Sequence, residues 1–182
     1  MHVNTPANHL DQMLRQTRQH HVTLSSMADA KANMLLTMSS VVATLCLPQL
    51  GNIVYRPALG TLMFFCLVTI FLACYAVIPK LSLAKRPEAE LQLDNPQFNP
   101  MFFGDFHSLE FNTYLDMMEK TLNDPSMCYE LQLREIYGLG QYLAKKKYRL
   151  LRYGYLSFLT GFGSATGILV VTLGAPLFMA IP

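Results

Sequence analysis

Residues 57–79 read PALGTLMFFCLVTIFLACYAVIP, an apolar run with no Asp, Glu, Lys or Arg and a proline at each border. A helix needs about 20 mainly apolar residues to cross a ~30 Å hydrocarbon core. The run meets that length, so it reads as a membrane span. Outward from it, Ala32–Tyr55 and Tyr153–Pro182 are equally free of charge. The first of these carries Asn33, Thr37, Ser39, Ser40, Thr44 and Pro48, and Pro48 lies near its far end, where breaking a helix costs least. The last, from Tyr153 to Phe178, is rich in glycine, which membrane helices tolerate better than soluble ones do. Three spans are expected. The composition of the 182 residues agrees: 52% are hydrophobic and 14% charged, against about a quarter charged in soluble domains.

Polar residues occupy the chain before the first span, whereas a secretory leader opens with a short basic region. The N-terminal segment is therefore expected to be retained. Of 14 Lys and Arg, only Arg56 falls between the first two spans. Basic residues mark cytoplasmic loops. The expected plan is a cytoplasmic amphipathic helix at 1–31, spans at 32–50, 57–79 and 153–178, a periplasmic turn at 51–56, and a cytoplasmic helical region at 80–152. The N-terminus is then inside and the C-terminus outside. Cys46, Cys66 and Cys74 fall in spans and Cys128 on the cytoplasmic side, none with C-x-x-C spacing. Packing rather than zinc or disulfide chemistry is the reading for all four.

The polar regions are helical in pattern. Leu10, Met13, Leu14, Thr17, His21, Leu24 and Ala28 recur at three- and four-residue steps, one face of a helix. Thr5-Pro6 suits its start. Nothing breaks it before Pro48, so it runs into the first span. KRPEAELQLDNPQFNPMFFGDF (85–106), with three prolines and a glycine, reads as a connector. A short helix capped near Ser108 follows, with Phe111, Tyr114, Leu115, Met118 and Leu122 on one face. Asp124-Pro125 is a helix start. From there Leu133, Ile136, Gly140, Leu143, Lys147 and Leu150 continue one stripe toward the third span. That helix, about 50 residues long, measures roughly 75 Å. The expected fold is all-α: three transmembrane helices whose long cytoplasmic extensions form a helical bundle.

MADAKANMLL (27–36) sits where the amphipathic helix meets the first span. Asp29 and Lys31 lie about 200° apart around a helix and cannot pair with each other. A lone carboxylate this near hydrocarbon is costly. Asp29 therefore needs a cation from elsewhere, and Lys145–Arg149 are at the matching depth.

Catalytic signatures are absent. There is no phosphate-binding glycine loop, no G-x-S-x-G and no H-E-x-x-H. His20-His21 point about 100° apart, a poor chelate, and His107 belongs to a helix-start turn. No enzyme activity, metal or cofactor is expected. KKKYRLLRY (145–153) is the densest basic run and lies directly before the third span. Juxtamembrane basic residues hold topology and meet anionic lipid; a phosphate-bearing ligand is the other reading. A net charge of +2 argues against nucleic acid. Gly163 and Gly167 form a G-x-x-x-G, which lets membrane helices approach closely and supports a homo-oligomer.

Three ordered stretches, MADAKANMLLTMSS, NPMFFGDF and NDPSMCYELQLREIYGLGQYLAKKKYRLLRYGY, resemble a known family: the transmembrane effectors of Pycsar, a bacterial anti-phage defence system. They are similar to its A-D-x-K-A-x-x-L-L opening, its F-F-G-x-F connector and its D-x-Y-x-L-G-x-x-L-x-x-K-Y-x-x-L helix, with Glu135 in place of the leading acid and one residue more between Leu143 and Lys147. The matched positions are Asp29, Lys31, Ala32, Phe102, Phe103, Gly104, Tyr137, Leu139, Gly140, Lys147 and Tyr148, and the likeness covers roughly residues 20–175.

The resemblance implies an inner-membrane effector that senses cyclic CMP or cyclic UMP, made by a partner pyrimidine cyclase, and impairs the membrane so that growth stops or the cell dies. The rival readings are a constitutive small channel or holin-like pore, and a membrane scaffold that docks a protein. The family supplies no residue-level nucleotide site, so the candidates come from chemistry. A cyclic mononucleotide asks for a cation, an aromatic face and polar groups for the base edge. Arg134, Lys145 and Lys146, then Phe103, Tyr137 and Tyr142, then Asp29 and Asn33 are the residues of those types in the cytoplasmic part.

Overall fold

The computed structural model describes residues 7–78, 91–95 and 98–179. All regular structure among them is helical: α1 (Asn8–Cys46), a 3₁₀ turn (Leu47–Gly51), α2 (Arg56–Val77), α3 (Phe103–Phe106), α4 (Phe111–Asn123), α5 (Pro125–Tyr142), a π turn (Leu143–Lys147) and α6 (Tyr148–Met179). Three helical stretches are long and apolar enough to cross a membrane: Asn8–Gly51, Arg56–Val77 and the 50 residues Pro125–Gly174. The protein is an all-helical membrane protein with three such spans. Thr5-Pro6 lies outside the described residues.

The chain divides into two compact units. One comprises residues 1–24 and 79–143, the other 25–78 and 144–182. Both long helices contribute to each unit, and the division on the C-terminal helix falls inside the π turn.

In the membrane unit, the buried residues of α1 are Ala28, Ala32, Leu35, Ser39 and Cys46, spaced by three, four and seven residues. Of these, Ala28, Ala32 and Leu35 form one core with Ala73 and Ala76 of α2 and Leu151 of α6. Four alanines in one core let the helix axes approach closely. α2 runs antiparallel to α6, with the Thr69 hydroxyl donating to the carbonyls of Phe65 and Gly154, and the Ser157 hydroxyl to that of Phe65. Gly161 is required at this crossing, because a Cβ there would overlap the Phe65 side chain. Pro48 falls within the 3₁₀ turn after α1 rather than in the helix. An Asx turn, with Val54 N donating to Asn52 Oδ1 at 3.0 Å, leads into α2.

In the other unit, α1 and α5 run parallel. Leu14, Tyr129 and Ile136 form the core, with Leu10 and Leu133 against it. Leu10, Leu14, Thr17, His21 and Leu24 keep to the inward side of α1 here, as Ala28 does in the membrane unit, whereas Met13 is exposed. Asp124 caps α5 as its spacing predicts, accepting from Ser126 N and Met127 N, with Pro125 in the first turn. α4 differs from expectation in two respects. It begins at Phe111 behind Glu110, with no side-chain cap from Ser108. Its packed residues are Tyr114, Met117, Met118 and Thr121, while Phe111, Leu115 and Leu122 are exposed. The apolar arc of this helix is wider than the surface α5 offers, so half of it stays open.

Candidate functional site

The decapeptide MADAKANMLL (27–36) of α1 makes a set of contacts with the basic run 145–153. Lys147 lies four residues after the buried Leu143 and four before the buried Leu151, so it faces inward with them. Its side chain is only 7% exposed. The ammonium sits 2.7 Å from Asp29 Oδ1 and donates to Ser25 Oγ at 2.9 Å. Asp29 is 38% exposed, which leaves its carboxylate partly hydrated. Two residues on, Lys31 Nζ stands 5.9 Å from the centre of the Tyr148 ring, a cation–π contact. Ala28 and Ala32, both buried, frame the pair on the same helix. Asp29 and Lys31 thus leave their helix on different sides and find consecutive partners, Lys147 and Tyr148.

In the unit built from 1–24 and 79–143, polar contacts follow one face of α1 in register. Tyr129 donates its hydroxyl proton to Asp11 Oδ1 at 2.5 Å. That bond, with burial second, raises the phenol above its ordinary pKa. Arg18 makes a salt bridge to Glu135 at 2.9 Å. His21 packs on Gly140, where a Cβ would come within 3.3 Å of the imidazole. Glu135 and Gly140, both in the motif-bearing helix, therefore receive α1.

The connector hides a buried polar knot. Asp105 is 6% exposed and accepts from Asn99 N at 3.0 Å. The Asn99 amide donates to the Leu131 carbonyl on α5 at 3.3 Å, and its oxygen accepts from Met101 N at 3.0 Å. Phe98 and Pro100 are fully buried beside it. Gly104 lies under the Phe102 ring, which leaves no room for a Cβ. His107 Nδ1 is 3.0 Å from the Gly104 carbonyl, closing the turn.

The eight residues chosen for a nucleotide divide between the units. Arg134 is engaged: it pairs with Glu130 at 2.6 Å and donates to the carbonyls of Leu93 and Asn95. A cavity of about 220 Å³ opens beside it, lined also by Asp94, Asp124 and Glu130. Three carboxylates around one guanidinium make a poor seat for an anion. Phe103, 55% exposed, and Tyr137, 68% exposed, present open rings, while Tyr142 is half-buried. In the membrane unit Asp29 is held by Lys147, whereas Asn33, Lys145 and Lys146 are exposed. Lys145 and Lys146 make no ion pair among the described residues.

Two features escaped the sequence reading. The π turn at Leu143–Lys147 coincides with the lysine run, and π turns cluster at functional positions in helices. The Asn99–Asp105 knot lies in a stretch that reads as a plain connector. Its one signal was an acid and an amide set among five apolar residues in NPMFFGDF.

A family model described as the Pycsar effector protein domain matches residues 12–175. No curated protein and no solved structure matches the chain.

Proposed function

Since the chain belongs to the Pycsar effector family, and so serves anti-phage defence, we propose that it answers a cyclic pyrimidine mononucleotide by impairing the bacterial inner membrane. The observation that carries this reading is the match over residues 12–175, which takes in the second and third helical stretches whole and the first from residue 12 on. The family links the chain to a cyclase and to a membrane. Cyclic CMP or cyclic UMP is the trigger, growth arrest or death is the outcome, and the N-terminus is cytoplasmic.

The nucleotide's phosphate goes to Lys145 or Lys146, because Lys147 and Arg134 already hold carboxylates. Asn33 and Asp29 are the polar groups for the base edge in that unit. Phe103, Tyr137 and Tyr142 in the other unit are tested one at a time by substitution. Copies of the chain associate through Gly163 and Gly167: a Cβ at either would meet nothing within 4 Å, so this face of α6 is open. A ligand acts only through its different affinity for two arrangements of the helices.

Expression of the chain with and without a pyrimidine cyclase tests the reading. Arrest and loss of membrane potential are expected only with the cyclase. Toxicity without any nucleotide points to a constitutive pore, and harmless expression under both conditions points to a scaffold. Calorimetric titration of detergent-purified protein with cyclic CMP and cyclic UMP separates direct sensing from indirect. No heat at about 1 mM ligand overturns direct sensing.

A further inference from the structure

Asn33, Thr37, Ser40 and Thr44 are spaced by four, three and four residues on α1, and all four are exposed. On a helix these steps place them within about 60° of one another, in a single line. The line runs opposite the buried stripe of Ala32, Leu35, Ser39 and Cys46. Between the two lies an ordinary lipid-facing surface of Met34, Met38, Val41 and Leu45, each about half exposed or more. α1 therefore shows three faces along the span: packed, apolar and polar.

The second span has a different exposed face, whereas α6 exposes two hydroxyls, Thr160 and Thr166. The exposed face of α2 is Phe64, Leu67, Phe71, Cys74 and Tyr75, with no Asn, Ser or Thr among them. A hydroxyl bonded to its own helix can face lipid, as Thr166 of α6 does, but an amide or hydroxyl without a partner turns toward another helix or water. Thr37 and Thr44 donate their protons to the carbonyls of Asn33 and Ser40, at 2.9 Å each, and each oxygen remains free to accept. The Asn33 amide and the Ser40 hydroxyl donate to nothing among the described residues. An amide facing lipid without a partner is costly. The stripe spans about 17 Å of helix rise, more than half of the hydrocarbon thickness. Among the described residues of one copy, nothing covers it.

We propose that Asn33, Thr37, Ser40 and Thr44 line a water-filled path through the membrane, enclosed by the α1 helices of further copies of this chain. The inference rests on the membrane-impairing function above and makes the damage a pore rather than a general disruption. The path carries no fixed charge from Asn33 to Thr44, so it passes small ions of either sign. The apolar Met38 and Leu45 face lipid, and the open glycine face of α6 supplies a second contact between copies.

Cysteine accessibility tests this in cells. Cys74→Ser and Cys128→Ser remove the two cysteines that are not buried. Into that background go Thr37→Cys or Thr44→Cys for the stripe, and Met38→Cys or Leu45→Cys at neighbouring depths for the lipid face. A membrane-impermeant methanethiosulfonate is added with and without the cyclase. Because the reagent needs a hydrated thiolate, the stripe positions should react at least about tenfold faster than their neighbours in one of the two states. Equal rates at 37 and 38, and at 44 and 45, in both states overturn the inference, even where the cyclase still collapses the membrane potential. Spontaneous disulfide cross-linking of Thr44→Cys without reagent labelling also overturns it, since the stripe is then a dry contact between copies. If the potential survives the cyclase, the triggered function fails, while the ratio of rates still decides whether water reaches the stripe.

Discussion

Asp29 Oδ1 lies 2.7 Å from Lys147 Nζ, and the lysine side chain is 7% exposed where the aspartate is 38%. That asymmetry decides which partner depends on the other. Removing Asp29 strands a buried ammonium, whose remaining partner is the neutral Ser25 hydroxyl. Removing Lys147 leaves a carboxylate that water still reaches. Breaking a buried pair from one side costs about 3–5 kcal/mol, less where one partner is solvated. Asp29→Ala should therefore destabilise by about 2–3 kcal/mol and Lys147→Met by about 1 kcal/mol or less. The double variant Asp29→Ala with Lys147→Met should recover most of the loss, as read by thermal unfolding in detergent. Equal losses for the two single variants contradict the assignment.

The need for that pair was legible in MADAKANMLL, because helix geometry forbids Asp29 and Lys31 from meeting. The choice of Lys147 over its neighbours depends on the inward stripe that carries Leu143 and Leu151 on either side of it. The three spans were legible for the same elementary reason, that charge is excluded from hydrocarbon. What stayed hidden was long-range. Asn99 and Asp105 become a buried knot only because the Leu131 carbonyl, a full helix away in the chain, accepts from the Asn99 amide. The exposed half of α4 was hidden too, since periodicity finds an apolar face without saying how much of it a partner covers. The division of the ligand candidates between two units follows from packing, which residue type alone does not encode.

The knot carries its own prediction. Asn99→Ala removes a donor from Leu131 and an acceptor from Met101 N in one step. Leaving buried polar groups without partners costs about 1–3 kcal/mol. Asp105→Ala should cost a similar amount, and the two losses together should fall short of their sum, since both act on one bonded cluster. Denaturation of the single and double variants measures the shortfall; strict additivity contradicts the cluster.

Gly161 and Gly163 are two residues apart and should behave oppositely. A Cβ at Gly161 overlaps the near end of the Phe65 side chain, which cannot swing away without moving α2. Gly161→Ala should cost about 1–3 kcal/mol through overpacking. A Cβ at Gly163 meets nothing within 4 Å. Gly163→Leu should keep the thermal midpoint of the monomer and lower the yield of chemically cross-linked oligomer. A cross-linking yield unchanged by Gly163→Leu with Gly167→Leu removes this face from the assembly.

Alkaline pH probes the Tyr129–Asp11 bond. The bond requires the protonated phenol, so the folded pKa lies above the unfolded value of about 10. The stabilisation is complete below that unfolded value and is lost as pH rises through the raised folded one. The thermal midpoint should therefore fall on titration above about pH 10. Tyr129→Phe, which keeps the ring against Leu14 and Ile136, should start lower and show a flatter alkaline limb. A Tyr129→Phe profile parallel to that of the unsubstituted protein shows that other groups govern the alkaline response.

Lys145 and Lys146 are exposed on the π turn while Lys147 is buried, so removing their charge spares the Asp29 pair. Lipid and nucleotide both offer these lysines a phosphate, and two measurements separate the sources. Lys145→Gln with Lys146→Gln should weaken binding of cyclic CMP or cyclic UMP at least about tenfold in detergent, where no anionic lipid competes. The same variant should insert normally and keep its topology, since Arg149 and Arg152 still supply positive charge at that end of the apolar run. Unchanged nucleotide affinity, together with a topology inverted in a fraction of molecules, assigns the pair to the membrane surface instead.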